Sequence, residues 1–184
     1  MANIDDFKAN LLGGGARANQ FRVTINPPTG IATGLLSRKT SFLVKSSSLP
    51  AMTVGEIPVS FRGRQIFIAG DRTFGETWST TFINDTDFMI RNAMERWSNG
   101  INDLADNTGI VDPASYQTDL TVEQLDRDDV ILKSYIFRSA WPTTVGSIEL
   151  SYDTTDAIEE FEVTWRYQHF EASGVGAGAG FTLL

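Results

Sequence analysis

Alternation with a period of two limits this chain more than any other feature. Phe161, Val163, Trp165, Tyr167 and His169 alternate with Glu162, Thr164, Arg166 and Gln168. Successive side chains of a strand point to opposite faces, so this run predicts an amphipathic strand with one wet side. The same period appears in Phe21–Ile25, which the turn residues Pro27, Pro28 and Gly30 close. It recurs at Ile57, Val59 and Phe61, and at Ile66 and Ile68, with Arg62-Gly63 as a tight turn between the two runs. Ile148, Leu150 and Tyr152 alternate with Glu149, Ser151 and Asp153. Residues 41–45 form a short apolar run, and residues 75–83 are rich in Thr, Trp and Phe, which suit a pleated surface. Residues 120–125 and 130–141 flank the charged turn Asp126-Arg127-Asp128-Asp129 and predict a hairpin.

One segment departs from this period. Ile90, Ala93, Met94, Trp97 and Ile101 fall at i, i+3, i+4, i+7 and i+11, one face of a helix. The helix is placed at 85–99, with Asp85 or Thr86 capping its start and Gly100 ending it. The remainder divides into an N-terminal arm and connector (1–20, with Gly13 to Gly15), an irregular loop (99–119) and a flexible Gly/Ala tail (172–184). The expectation is a single mainly β domain over 1–184, many strands with one flanking helix. The alternation does not give the strand order.

Composition decides what such a domain is unsuited to do. At 184 residues and 41% hydrophobic, the chain can bury a real core. It has no cysteine, which excludes disulfides and thiolate metal sites, and a single histidine, which excludes a His-rich one. No apolar run approaches the ~20 residues of a membrane helix, and the start has neither the basic nor the apolar region of a signal peptide. A net charge of −8 opposes tight binding to phosphate backbones, which takes clustered cations. The charge is segregated: residues 1–72 hold nine Lys or Arg and four Asp or Glu, and residues 73–184 hold six and nineteen. A fold ordinarily remixes such segregation; the alternative is a bipolar subunit that pairs head to tail with its copies.

No catalytic constellation emerges. His169 lies in the apolar row of its strand and reads as a packed, satisfied imidazole. The acidic turn at 126–129 lacks the glycine and distal Glu of a calcium loop. Gly174, Gly176 and Ala179 loosely match a dinucleotide fingerprint, but no helix follows them. The expectation is a structural or interaction protein, not an enzyme, with no cofactor and no metal.

Two blocks then identify a family resemblance. The first runs from Leu49-Pro50 through Ile57-Pro58-Val59 and Arg64 to Ala69-Gly70-Asp71-Arg72-Thr73-Phe74, ending at Asn84-Asp85. The second is Trp141-Pro142-Thr143-Thr144-Val145-Gly146, then Ile148-Glu149-Leu150 and residues 158–164. Together they resemble the tail tube proteins of contractile-tailed bacteriophages of the T-even type. The resemblance implies a β-sandwich or barrel-like fold with one helix on its flank. It implies homo-hexameric rings whose strands join one inner intersubunit β-barrel, stacked on identical rings as the tube of a virion tail. The implied partners are the tail sheath, a baseplate tube-initiator, a tape-measure protein, and genomic DNA that passes along the bore unbound. The protein would be made in the host cytoplasm. Nearby alternatives are a baseplate tube-initiator or the tube of a related contractile injection system. A different class is a receptor- or carbohydrate-binding β-sandwich that does not polymerise.

A bore lined with carboxylates would repel DNA phosphates. Glu149, Asp153 and Glu162 alternate with apolar residues, so they are the expected lumen-lining residues if their strands join the inner barrel. Otherwise they lie on the outer wall, or pair with Arg138 or Arg166.

Overall fold

The structure, a computed structural model, describes residues 3–11, 15–28, 31 and 37–173. The Gly13-Gly14 part of the connector and the Gly/Ala stretch at 174–184 lie outside them. Four helices and nine strands follow in order among the described residues: α1 (Ile4–Asn10), β1 (Phe21–Ile25), α2 (Ser37–Leu43), β2 (Val44–Ser47), β3 (Val54–Phe61), β4 (Arg64–Arg72), β5 (Trp78–Ile83), α3 (Met89–Ile101), α4 (Pro113–Tyr116), β6 (Thr118–Leu125), β7 (Ile131–Val145), β8 (Glu160–Arg166) and β9 (His169–Ala172). The mainly β expectation holds.

One seven-stranded sheet organises the body. Its order is β1-β6-β7-β8-β5-β2, with β9 also on β7, and every pairing is antiparallel. Strand β7 is the spine. Its first half pairs with β6 and β9, its second half with β8. The sheet curls until Trp78 of β5 stacks on Phe137 of β7, with centroids 4.3 Å apart. Inside the curl lie Val23, Ile25, Leu120, Val122, Phe137, Phe82, Phe161, Val163 and Trp165, closed by Ile90, Ala93, Met94 and Trp97 of α3. The three fully buried indoles each donate a hydrogen bond: Trp78 to the Ser48 carbonyl (2.8 Å), Trp97 to the Tyr116 carbonyl (2.8 Å) and Trp165 to the Thr80 hydroxyl (2.8 Å). That matters because a buried N–H without a partner is costly.

At one level the alternation changes phase on two paired strands together. Along β7 the buried positions pass from Phe137 to Ala140 and Pro142; opposite them, Tyr167 is followed by buried Phe170 and Ala172. Each strand therefore has two residues where one would keep the period, and the pairs Arg138↔His169 and Trp141↔Arg166 bracket the step. Ser139 takes a positive φ of 53°, and the β6–β7 register shifts at the same place, which makes this a β-bulge. The Gln168 N–H donates to the Arg138 carbonyl at 3.1 Å. His169, expected in the apolar row, consequently faces outward, half exposed, with Nε2 3.9 Å from Glu171.

Other expectations need correction. Residues 148–152 are not a strand: they run through an irregular loop in which Leu150 and Tyr152 are exposed, since no neighbouring strand offers a ladder. Residues 41–45 straddle α2 and β2, because a short apolar run carries no period of its own; α2 lies against β1. Helix α3 spans 89–101 rather than 85–99 and continues through Gly100. Asp85 and Thr86 do not cap it. Phe88 holds the cap position with φ 49°, and Asp87 Oδ1 accepts from the Met89 N–H (3.0 Å). Lys39 ion-pairs with both Asp85 (2.9 Å) and Asp87, beside the left-handed Phe88 that breaks the helical backbone. Within 99–119, Asp112 caps the short α4. The tail begins later than 172: Ala172 is buried in β9, and the Ser173 N–H donates to the Ser134 carbonyl at 2.8 Å.

Candidate assembly surfaces

The first surface is the hairpin β3–β4, a two-stranded sheet of its own. At ~3.3 Å per residue its eight-residue strand β3 spans about 26 Å. Arg62 (φ 46°) and Gly63 (φ 80°) are both left-handed, the geometry of the two-residue type I′ turn that matches strand twist. Register places Ile57 opposite Ile68 and Val59 opposite Ile66, so these four side chains form one apolar ladder on one face. All of β3 is exposed, and so is nearly all of β4; Ile57, Ile66 and Ile68 each keep about half their surface open. An isolated hairpin is marginal in water, and a contiguous exposed apolar face marks an interaction surface. The period-two rows at 57–61 and 66–68 thus lie outside the core of the subunit.

The family-like residues 69–74 form the base of this hairpin. A Cβ on Gly70 would stand 3.2 Å from the Gly55 carbonyl oxygen, where the register shifts between Val54 and Glu56. Ala69 faces Glu56, and Arg72 faces Val54. Asp71 and Thr73 are exposed. Phe74 anchors the base to the body, meeting Phe170 edge-on at 5.5 Å.

The second block has a packing explanation. Trp141 meets Tyr116 edge-on at 6.2 Å. Pro142 lies where the β7–β8 register shifts, a place that tolerates a missing N–H. Val145 packs against the core. The Gly146 N–H donates to the Glu162 carbonyl at 2.7 Å, and a Cβ there would stand 2.9 Å from that oxygen, so only glycine fits. Arg91 donates to the Gly146 carbonyl from the other side and lies over the Phe161 ring at 5.1 Å.

Beyond Gly146 runs the second surface, the loop from 147 to 159. Leu150, Tyr152 and Ile158 are exposed on it among Glu149, Asp153, Asp156 and Glu159, with no Lys or Arg. Asn84 ties its end down, donating from its side chain to Glu159 Oε2 at 2.9 Å. Of the three expected lumen residues, Glu149 and Asp153 lie here and not on a strand. Glu162 lies on β8, opposite Thr81, and is exposed on the outer face of the sheet. No ion pair joins any of the three to Arg138 or Arg166 among the described residues. Arg138 is instead taken by Glu171 (2.8 Å) and Asp119, and Arg166 donates to the Gly75 carbonyl at 2.6 Å.

Arg138 clips the bulge. Glu171 first and then Asp119 raise its pKa. It holds the Glu171 carboxyl below the ordinary range. Burial opposes the charge on Asp119, but Arg138 and the Ser139 N–H outweigh it and hold this carboxyl low as well. Elsewhere the fold remixes the segregated charges. Arg22 pairs with Glu123 (2.8 Å), Lys45 with Glu160 (2.6 Å) and Lys39 with Asp85 and Asp87. Arg62 and Arg64 at the hairpin tip have no ion pair among the described residues; Arg62 lies over Phe61 at 5.3 Å. No cluster of His, Asp and Glu able to hold a metal occurs among the described residues, nor any helix long and apolar enough to cross a membrane.

Comparison with known proteins gives the family. The family described as phage tail tube protein matches residues 16–173. The tail tube protein of Serratia phage KSP90 is 32% identical over 169 residues, 91% of this chain and 95% of that protein. The tail tube protein of Enterobacteria phage T4 is 33% identical over 170 residues, 91% of this chain and 99% of that protein. In fold, a chain from the sheath–tube complex of an extracellular contractile injection system in its extended state superposes with a TM-score of 0.57 at 13% identity, covering 95% of this chain and 100% of that one. These relatives are structural proteins, not enzymes. With the family matched over most of its length, and with relatives at about a third identity, this chain belongs to the phage tail tube proteins, structural components of the virion tail.

Proposed function

We propose that the chain polymerises into stacked six-membered rings that form the inner tube of a contractile tail. A sheath lies outside, an initiator at the baseplate starts the stack, a tape-measure protein sets its length, and the genome passes through the bore. The observation that carries this is the β3–β4 hairpin, whose apolar ladder has no place in the subunit's own core. Repeating contacts between copies cover such a face in every subunit except the last. Among the described residues β1, β2 and β9 each have a partner strand on one side only, and pairing edges between copies removes such open edges. An acidic chain suits a conduit: Glu162 projects from an outer strand face among Thr81 and Thr164, and we assign it to the bore. The strand argument no longer extends to Glu149 and Asp153. A carbohydrate- or receptor-binding module would present an aromatic platform; on the hairpin the exposed Phe61 and Phe67 fall on opposite faces, and Ile57, Val59, Ile66 and Ile68 make up the rest of the ladder.

Negative-stain images of the purified chain test the reading. Tubes or rings of uniform bore are expected, and monomers at high concentration would overturn it. In Ile57→Lys/Ile66→Lys protein the rings or tubes should disappear while the subunit melts at an unchanged temperature. Unchanged tubes would show that the ladder is not a seam.

A further inference from the structure

Resting on the polymer reading, the geometry points to the 147–159 loop as the seat into which the hairpin of the next copy docks. Two surfaces of the subunit are apolar, exposed and opposite in sign. The hairpin has its ladder of Ile57, Val59, Ile66 and Ile68, and its tip holds Arg62 and Arg64 without an acidic partner among the described residues. The loop exposes Leu150, Tyr152 and Ile158 between Glu149, Asp153 and Asp156, with no basic residue. Both are firmly based: Phe74 pins one against Phe170, and Gly146 and Asn84 pin the two ends of the other. Arg22, Lys39, Lys45 and Arg138, by contrast, are committed to ion pairs within the subunit. The tip cations Arg62 and Arg64 and the loop carboxylates Glu149, Asp153 and Asp156 have no ion pair among the described residues, and they sit on two different surfaces. A surface that displays both halves of a complementary pair at separate places makes a heterologous, head-to-tail contact that repeats without limit. Opposite charges at the rim then set polarity and register, because a reversed copy would bring like charges together.

Charge exchange in the full-length chain tests this. Arg62→Glu/Arg64→Glu protein should lose tubes at physiological salt, with a yield down at least about tenfold, the change that ~1.4 kcal/mol produces. Glu149→Arg/Asp153→Arg/Asp156→Arg protein should do the same. An equal mixture should recover tubes, because each acidic tip then finds a basic loop and each basic tip an acidic one. One chain with all five substitutions should also assemble. Recovery cannot come from a misfolded subunit, so it supports the seat directly. Tubes from both single sets at the wild-type yield, or no recovery in either mixture or combined chain, would overturn it. The natural absence of cysteine gives a second measurement. Arg64→Cys/Asp153→Cys protein, oxidised after assembly, should run as a ladder of covalent multimers on a denaturing gel, and monomers alone would overturn the seat. Wild-type tubes with failed exchange reject only this inference; absence of wild-type tubes rejects the polymer reading itself.

Discussion

Thr80→Val isolates one hydrogen bond at the centre of the core. Thr80 is 1% exposed, and its hydroxyl accepts the Trp165 indole N–H at 2.8 Å. Trp165 is itself fully buried, between Trp78 and Trp97 at 6.5 and 5.5 Å. Valine has nearly the shape of threonine, so the substitution leaves no cavity and suits a strand. What it removes is the acceptor, leaving an indole N–H in a dry site. That penalty is about 1–3 kcal/mol, against a whole-domain stability of ~5–15 kcal/mol. At roughly 2–4 °C per kcal/mol for a chain of this size, melting should fall by about 4–8 °C for a mid-range cost. Thr80→Ser keeps the acceptor and drops one methyl, for about 0.8 kcal/mol. The decisive assay is a double-mutant cycle by urea unfolding with Trp165→Phe, which removes the donor. On that background Thr80→Val should cost almost nothing. An equal cost on both backgrounds would show that the bond has no part in the effect.

Three further outcomes follow from particular contacts. Gly146→Ala must push its Cβ away from the Glu162 carbonyl oxygen at 2.9 Å; a backbone shift of this kind costs about 1–3 kcal/mol, measurable as a lower urea midpoint. Asp119 and Glu171 have folded pKa values below their ordinary ones, so their pairing with Arg138 stabilises the fold above the unfolded carboxylate pKa of ~4 and is lost as pH falls through the lower folded values. Asp119→Asn/Glu171→Gln protein should accordingly show a shallower loss of stability between pH 5 and 2 than wild type, and identical slopes would contradict the clip. On the proposed ring assembly, Glu162→Lys would be repeated around each ring and should slow DNA passage through assembled tubes in a salt-dependent way, whereas normal ejection would place this residue off the bore.

The apolar row of β8 was legible because Phe161, Val163 and Trp165 lie inside a regular strand with partners on both sides. His169 was misread for a local reason: two residues are inserted at once on β7 and its partner, and a period cannot announce its own break. Leu150 and Tyr152 show the converse, since alternation arises in any chain and only a neighbouring ladder turns it into a strand. The face of α3 was legible, but its start was not, because Phe88 takes a left-handed φ of 49° at the cap position and periodicity does not announce a backbone break. The hairpin was readable to its turn residues. That its ladder stands outside the core was not, because apolar residues alternate in the same way whether their own chain or a neighbour covers them. Gly146 showed in the sequence only as part of a resemblance; its reason is a carbonyl supplied by a strand sixteen residues on.

The strand order also dictates when a newly made subunit becomes competent. Strand β1 pairs with β6, and the Arg22–Glu123 contact joins residues 101 positions apart; β5 likewise waits for β8, as the Trp165–Thr80 bond spans 85 positions. The ribosome must therefore deliver almost the whole chain before the curled sheet can close, and closing such long loops is entropically slow. The hairpin is different, being local in sequence and able to form as soon as it emerges. Its sticky face is thus present on nascent chains that have no finished body to offer one another. If the subunits polymerise as proposed, growth has to wait for the closing strands to be made, which makes each completed subunit a unit of timing as well as of shape.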